Sequence, residues 1–346
     1  MRVIVTNFNP HFTGVSATIA TLFPLLAKNQ ELHLCGKPLA GAAAPISFAQ
    51  GVRLSRGPEQ VIWHVRRNNE MFYALFVRDV LRLPIKIIFT SAAQRLHSAF
   101  PRCLISKMDA VIATTNEAAG FVKRVAVVAP HGVDTTRFVP AVDRVVAWRS
   151  LGFGGVRGIA TIGRVRPEKG TDRFVDMAIK LLPNVPDVTA VIVGKATAEH
   201  RAFQAALESK IQAAGFANRI KFIGEQSALL MPGLMAGLSL LVAPPRYEGY
   251  GLTPLEAMAC GVSVIASDVG YFSTFVDEGN TGHIVPDGEP DEMAAIAAGI
   301  LQNPVRLEAM GIAARQRVEH MFSATKEADA ISGVYESVFN SSRERS

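Results

Sequence analysis

Two loops in the second half of the chain hold residues suited to binding phosphate groups. The first is GRVRPEKG, residues 163–170, in which Arg164 and Lys169 follow an apolar, strand-like run. A guanidinium grips phosphate oxygens as a fork, and an ammonium acts as a compact point charge. Loop cations are often only solvated, so a second anion-binding element beside this loop is needed to support a diphosphate clamp.

That second element is predicted in PPRYEGYGLTPLEAMACG, residues 244–261. Thr253, with Glu256 three residues later, predicts a capping box, and Gly261 suits the end of the helix. Gly251 lets the backbone approach a ligand closely before the helix begins. The N–H groups and the partial positive charge of a helix start provide a seat for a phosphate.

Two glutamates of this segment have both an ordinary and a functional interpretation. Glu256 could serve only as a helix cap, and Glu248 could be a solvated turn residue. Beside an anion seat, a carboxylate in a glycine-rich turn has another use, which is to accept hydrogen bonds from sugar hydroxyls. The spacing alone leaves both interpretations open.

Composition and periodicity indicate the elements that must position these loops. The length of 346 residues suggests two domains, and 49% hydrophobic with 19% charged residues predicts large cores. Short runs rich in Val and Ile alternate with helical patterns, which favours an α/β fold with parallel sheets covered on both faces. The predicted strands are 3–6, 61–65, 85–90, 110–114 and 125–129, then 158–162, 190–193, 220–223, 239–242 and 263–266.

The predicted organisation is a first domain over residues 1–145, a second over 146–325 and a closing helix with a tail over 326–346. We expect the linker in or just after 131–144, where turn-forming residues follow a strand. The uncharged stretch 227–245 is interrupted by Pro and Gly, so it predicts a short helix and a buried strand instead of a membrane span.

Charge is distributed unevenly between the two halves. Residues 1–150 hold 18 Lys+Arg and 8 Asp+Glu, net +10, whereas residues 151–346 hold 18 and 22, net −4. The first half is therefore expected to meet an anionic membrane surface or a phosphorylated substrate, with ordinary solvated charge as the alternative, and it contains no recognisable nucleic-acid motif. Arg66, Arg67 and Asn68 follow a predicted strand of this half and are candidates for contacting an anionic acceptor.

Several other phosphate and metal signatures are absent from the sequence. There is no GxxxxGK[ST] loop, no Asp-x-Asp motif and no His-x-x-x-His pair. Three cysteines, without any CxxC pair, argue against a disulfide scaffold or a structural zinc site and fit a reducing cytoplasm. We therefore expect no metal and no cofactor, so that protein cations and helix amides carry the charge of a leaving diphosphate.

Taken together, these motifs resemble glycosyltransferase family 4. The resemblance rests on EGYGLTPLEAMACG with its Glu-x7-Glu element, on GRVRPEKG, on the strands VIVG and KFIG, and on HGVDTTRF at 131–138. It implies the GT-B architecture, in which two Rossmann-like domains face each other and the second holds the donor. The first half, with NFNPHFTGVSATIATLFPLL and IWHVRRNNEMF, is similar to the lipopolysaccharide core mannosyltransferases of α-proteobacteria.

The resemblance also implies roles for individual residues. It assigns Arg164, Lys169 and Glu248 to catalysis, the first two on the diphosphate and Glu248 at the donor sugar. Donor binding would further involve Gly14, Gly251, Leu252, Thr253 and Glu256, the last at the ribose. The family often has two adjacent glycines where this chain has Gly14–Val15. Many members carry a His after a strand of the first domain, and it has no match here because His97 lies too far along the chain. Ser91, Gln94 or Arg95 could occupy its place. Arg95 is also a fourth acceptor candidate, beside Arg66, Arg67 and Asn68.

The implied function is transfer of a sugar with retention of configuration, most simply mannose from GDP-mannose, to a lipopolysaccharide core or other lipid-linked acceptor. The nucleotide sugar and the acceptor are the expected partners, and the expected location is the cytoplasmic face of the inner membrane, by peripheral association. Two alternatives are a GT-B-like nucleotide-sugar epimerase and a non-catalytic nucleotide-sugar-binding subunit.

Overall fold

A computed structural model describes residues 1–11 and 13–343 of the chain. It divides into two compact units. The first contains Met1–Gly132 together with Phe322–Ser346, and the second contains Val133–Met321. The division falls inside 131–144, the predicted linker, and earlier than the predicted domain boundary at residue 145.

The first unit is built on a six-stranded sheet with the order β2-β1-β3-β4-β5-β6. All neighbouring strands run parallel, with Val3 of β1 beside Leu32 on one side and Ile62 on the other. The strands are β1 (Arg2–Asn7), β2 (Glu31–Gly36), β3 (Val61–Val65), β4 (Ile85–Ser91), β5 (Ala110–Ala113) and β6 (Val125–Val128).

Helices cover both faces of this sheet and form two hydrophobic cores. They are α1 (Gly14–Leu26), α2 (Phe48–Leu54), α3 (Asn68–Leu75), α4 (Ala99–Ile105), α5 (Asn116–Gly120) and, from the end of the chain, α14 (Ala324–Arg343). One core joins α1 and α14 to the sheet through side chains that include Ile19, Leu22 and Ile331. The other surrounds the fully buried Trp63 with side chains such as Met71.

The second unit contains an equivalent parallel sheet with the order β12-β11-β10-β7-β8-β9. Its strands are β7 (Arg157–Ile162), β8 (Val188–Val193), β9 (Ile220–Gly224), β10 (Leu238–Ala243), β11 (Ser263–Ser267) and β12 (Gly282–Val285). Its helices are α6 (Arg144–Ser150), α7 (Thr171–Leu181), α8 (Arg201–Ala213), α9 (Met231–Gly237), α10 (Leu252–Ala259), α11 (Phe272–Phe275), α12 (Pro290–Leu301) and α13 (Pro304–Met321). The predicted α/β fold class with parallel sheets is thus confirmed in both units.

All ten predicted strands are present, and the two that were missed, β2 and β12, lie at sheet edges. Each has a half-buried pattern that lacks the continuous apolar run of a central strand. The stretch 227–245 forms α9 followed by the buried strand β10, as predicted. Within 1–11 and 13–343, we find no helix that has both the length and the apolarity to cross a bilayer.

The closing helix α14 belongs to the core of the first unit although it ends the sequence. Ile331 is 1% exposed within that core, and the Tyr335 hydroxyl lies 2.5 Å from Nδ1 of the buried His64. The chain therefore returns to the N-terminal sheet after completing the second unit, and the last helix stabilises the first one.

We expect Ile331→Ala to destabilise the first unit by about 2 to 5 kcal/mol, because it leaves a cavity in a closed core. Hydrogen exchange measured by mass spectrometry should show faster exchange in β1 and α1, with β7 and β8 unaffected. Glu336→Ala, on the exposed face of the same helix, is the matched control and should change neither unit. Equal exchange in the Ile331→Ala variant and the wild type would contradict this placement of α14.

Candidate active site

Three loops at the carboxyl edge of the second sheet are packed tightly together. After β7, a 3₁₀ turn formed by Pro167–Lys169 leads to Gly170, which has φ +68° and precedes α7. A Cβ atom at Gly170 would lie 1.9 Å from the carbonyl oxygen of Pro244, in the loop after β10. Only glycine allows this approach, which brings GRVRPEKG beside the start of PPRYEGYG.

A bidentate ion pair holds the same two loops together. Arg246 Nη1 and Nη2 lie 2.8 and 2.7 Å from the two carboxylate oxygens of Asp172, and Nη1 also donates to Pro167 O. Burial raises the pKa of the Asp172 carboxyl, but the Arg246 guanidinium outweighs this and lowers that pKa below its usual value. The sequence analysis missed this pair, since nothing in the spacing of residues 172 and 246 connects them.

Lys169 and Glu248, two of the three residues assigned to catalysis, form an ion pair with each other. Lys169 Nζ lies 2.6 Å from Glu248 Oε2, and both side chains are 22% exposed. The Gly249 amide donates to the other carboxylate oxygen, Oε1, at 2.9 Å. Arg164, the third residue, is exposed in the same loop. The structure thus brings an ammonium and a carboxylate to one point.

Helix α10 starts directly beside this ion pair, without a capping side chain. Gly251 occupies the N-cap position with φ +81°, so Leu252 and Thr253 are the first two helical residues. A Cβ at Gly251 would lie 2.3 Å from the Phe272 ring and 2.8 Å from Glu248 Cγ. The predicted capping box is therefore wrong, because the helix starts before Thr253. A helix does begin in this segment, and the use of its first backbone amides as a seat for a phosphate stays a prediction.

Glu256 lies inside α10, on its second turn, and is partly buried. Burial raises the pKa of this carboxyl from 4.5 to about 7, and the nearby Arg137 guanidinium opposes the shift. A raised carboxyl pKa in a cleft marks a candidate functional group, so the predicted role of Glu256 at the ribose stays a prediction.

In the first unit, the loops after β1 and β3 are organised by the fully buried Glu70. Its two carboxylate oxygens accept hydrogen bonds from Thr6 Oγ1, the Phe8 amide, the Arg66 amide and Arg67 Nη1. Four donors satisfy the buried charge, which explains why a carboxylate is tolerated at 0% exposure. The sequence analysis did not identify Glu70, because two of its partners, Thr6 and Phe8, lie more than 60 residues away in the sequence.

Arg67, an acceptor candidate, has its donors engaged within the protein. Nη1 binds Glu70 and Asn7, and Nη2 binds Thr13 and Ser16 at 3.2 and 3.3 Å. It therefore fixes the start of α1, whose first residue is the exposed Gly14. Gly14 lies at a helix start instead of in the preceding loop, where we expected it.

The other acceptor candidates occupy different surroundings. Arg66 and Asn68 line a cavity of about 220 Å³ at the carboxyl edge of the first sheet, together with His97. Arg95 is exposed in the loop after β4 and does not line this cavity. His131, which begins the HGVDTTRF segment, lies with Nδ1 2.8 Å from Glu327 Oε1.

Comparison with known proteins identifies the class of this site. The model of the family described as glycosyl transferases group 1 matches residues 151–317, which include every donor loop described above. The chain is 41% identical over 345 residues to the lipopolysaccharide core biosynthesis mannosyltransferase LpsB of Rhizobium meliloti (strain 1021), covering 98% of each protein. It is 37% identical to LpcC of Rhizobium leguminosarum bv. viciae, a protein of the same description, over 99% of this chain and 98% of that one.

A solved structure extends the likeness to the fold of the whole chain. HepE of Anabaena, crystallised in complex with UDP, superposes with a TM-score of 0.81 at 16% identity, over 97% of this chain and 100% of that one. The fold is therefore of the GT-B type. The chain belongs to the group 1 glycosyltransferase family, and it is an enzyme, a glycosyltransferase.

Glu256→Gln should stabilise the protein increasingly as the pH rises from 4.5 to 7. In this window the unfolded carboxyl has lost its proton while the folded one keeps it, so the stability of the wild type falls with pH. The difference in unfolding free energy between the variant and the wild type should not change below pH 4.5. Between pH 4.5 and 7 it should grow by about 1 to 3 kcal/mol, and above pH 7 it should be constant. Denaturant unfolding at several pH values measures it.

Glu292→Gln provides the control, because Glu292 is an exposed residue of α12 in the same unit. It should show no such pH-dependent difference. A Glu256→Gln curve parallel to that of the control would show that Glu256 is an ordinary solvated carboxylate.

Proposed function

We propose that the enzyme transfers a mannosyl residue from GDP-mannose to a lipopolysaccharide core or other lipid-linked acceptor, with retention of the anomeric configuration. The observation that carries the proposal is the grouping of Lys169, Glu248 and the uncapped start of α10 at one sheet edge. In open parallel sheets, ligands bind at the carboxyl ends of the strands, where these groups lie.

The chemistry follows from where charge develops. Breaking the bond between the anomeric carbon and the diphosphate leaves the electron pair on the phosphate oxygen and positive character on the sugar. We assign stabilisation of that leaving group to Lys169, Arg164 and the amides of Leu252 and Thr253. The acceptor hydroxyl attacks from the same face, and its proton passes to the leaving diphosphate, which yields the glycoside and a nucleoside diphosphate.

The ion pair between Lys169 and Glu248 has a direct role in donor binding. Without donor, the carboxylate balances the ammonium at 2.6 Å. When a diphosphate takes over Lys169, Glu248 is released to accept hydrogen bonds from the donor sugar. Glu256, with a pKa raised to about 7, is assigned to the ribose hydroxyls, where a carboxyl can donate or accept.

Transfer of mannose in lipopolysaccharide core synthesis is supported by the relatives described as lipopolysaccharide core biosynthesis mannosyltransferases, which match nearly the full length of the chain. Gly14, at the start of α1, is proposed to approach the donor diphosphate from the first unit. Arg66, Asn68 and Arg95 are proposed to bind the acceptor. Arg67 is proposed to contribute to acceptor binding indirectly, by holding the segment that carries Gly14. We propose that the reaction needs no metal ion or cofactor, since two cations and a helix start offset the charge.

The first unit is proposed to associate with the cytoplasmic surface of the inner membrane. Phe72, Phe76 and Val80 recur every four residues along α3 and the π-helical turn that continues it, and they are 56, 39 and 64% exposed. Residues 50–107 contain ten Lys+Arg against three acidic residues. Exposed aromatic side chains and excess cations suit an anionic interface, to which each cation contributes about 1 kcal/mol.

Transfer activity should depend on all three residues proposed for catalysis. With GDP-mannose and a lipopolysaccharide core acceptor, we expect Arg164→Ala, Lys169→Ala and Glu248→Ala each to lower kcat/KM on the order of 10²- to 10³-fold. Arg201→Ala, which removes an exposed arginine at the start of α8, is the matched control and should remain fully active. Full turnover by all three variants would remove the site assignment.

Four further measurements with this assay address the remaining parts of the proposal. Chelator should leave the rate unchanged, whereas activity restored only by magnesium or manganese would contradict metal independence. Proton NMR of the product should show the anomeric configuration of the donor. A reaction without acceptor should yield no epimerised nucleotide sugar, and a panel of other nucleotide sugars should transfer more slowly than GDP-mannose.

Membrane association is tested by flotation with vesicles that contain anionic lipid. The wild type should float in low salt and be released by high salt, because exposed charges are screened. Phe72→Ser with Phe76→Ser should reduce flotation, and Ile312→Ser, at an exposed apolar residue of the second unit, should not. Absence of salt-sensitive flotation by the wild type would contradict a peripheral membrane location.

A further inference from the structure

A partly buried arginine in the first unit, Arg66, has two unsatisfied nitrogen atoms. Nε and Nη1 of Arg66 are both buried, and neither has a hydrogen-bond partner among the residues that the structure describes. Burial lowers the pKa of this guanidinium, yet arginine stays protonated at neutral pH. Leaving a buried donor unsatisfied is unfavourable, so two such donors on one side chain indicate a place for a ligand.

The two carboxylates whose fields reach Arg66 are already engaged elsewhere. Both oxygens of Glu70 accept hydrogen bonds from other donors, including Arg67 Nη1 and the Arg66 backbone amide. Both oxygens of Glu327 are likewise occupied, one by His131 Nδ1 and the other by the Gly132 amide, each at 2.8 Å. Neither carboxylate pairs with the Arg66 guanidinium, whose N–H groups remain available.

These N–H groups belong to a side chain that lines a cavity with a second unsatisfied group. The cavity has a volume of about 220 Å³ and is also lined by His97, Asn68 and Thr90. His97 Nε2 is buried and has no hydrogen-bond partner within 1–11 and 13–343. The volume corresponds to roughly seven water molecules, which is enough for a carboxylate and part of a sugar ring.

We propose that this cavity binds the carboxylate of an acidic acceptor sugar, with Arg66 as its anchor and His97 as a second hydrogen-bonding partner. Each free N–H of the guanidinium can donate a charge-assisted hydrogen bond to a carboxylate oxygen. The inference rests on the proposed function, because it identifies which chemical group of the acceptor the enzyme recognises. It also gives the two adjacent arginines different roles, because Arg67 holds the loop and Arg66 binds the ligand.

The test measures direct binding of the methyl glycoside of Kdo to the protein. Binding is monitored by ligand-observed NMR titration in the absence of any donor. We expect binding to the wild type and a loss on the order of 10- to 100-fold for Arg66→Gln. The C1 carboxamide of the same probe, which has no negative charge, should bind the wild type as weakly as the carboxylate binds Arg66→Gln. For Arg66→Gln itself, the two probes should be equivalent.

Three controls keep the inference falsifiable. Arg53→Gln, at an exposed arginine of α2, should bind both probes as the wild type does. Arg66→Gln should unfold at the same or a higher temperature, whereas a purely structural arginine would make the variant less stable. Thermal shift with GDP-mannose should be equal in Arg66→Gln and the wild type.

Several outcomes would overturn the inference without touching the proposed function. They are equal binding of the carboxylate and the carboxamide to the wild type, unchanged affinity in Arg66→Gln, or no probe binding by a protein that still binds GDP-mannose. Tighter binding of inorganic phosphate than of the carboxylate probe, with the same dependence on Arg66, would assign the cavity to a phosphate group and overturn the carboxylate assignment.

Discussion

The ion pair between Lys169 and Glu248 is the interaction around which the proposed donor site is arranged. At the carboxyl edge of the sheet, Glu248 supplies a counter-charge to this lysine at 2.6 Å. Gly170 and Gly251 let the surrounding loops approach closely, and Arg246 and Asp172 hold two of these loops together. The pair is therefore preorganised by packing, and under the proposed function a donor diphosphate would take the place of the carboxylate at Lys169.

In the first unit, a carboxylate is likewise paired with a basic side chain, but the pair holds loops together. Glu70 and Arg67 form a buried pair with every oxygen and both terminal nitrogens engaged, which fixes the loops after β1 and β3. Nε and Nη1 of Arg66, the neighbouring residue, have no hydrogen-bond partner within residues 1–11 and 13–343. Arg67 thus holds two loops together, and Arg66 is the residue that we propose for ligand binding, a division that residue types alone do not reveal.

The sequence predicts the sheets well and the side-chain network poorly, for physical reasons. Buried parallel strands are continuous apolar runs, which composition shows directly, whereas the edge strands β2 and β12 have mixed patterns. Glycines and an N-terminal helix signal locate the anion site, but the true helix start at Gly251 depends on contacts with Phe272 and Glu248. Pairs such as Arg246–Asp172 link residues distant in sequence, so no local spacing predicts them.

The most direct measurement is a crystal structure of the enzyme in complex with GDP-mannose. The account predicts the diphosphate within hydrogen-bonding distance of Lys169 Nζ, the Arg164 guanidinium and the first amides of α10. It also predicts that the Lys169–Glu248 pair is opened and that Glu248 contacts the sugar. A diphosphate bound away from all three groups, with that ion pair intact, would contradict the account.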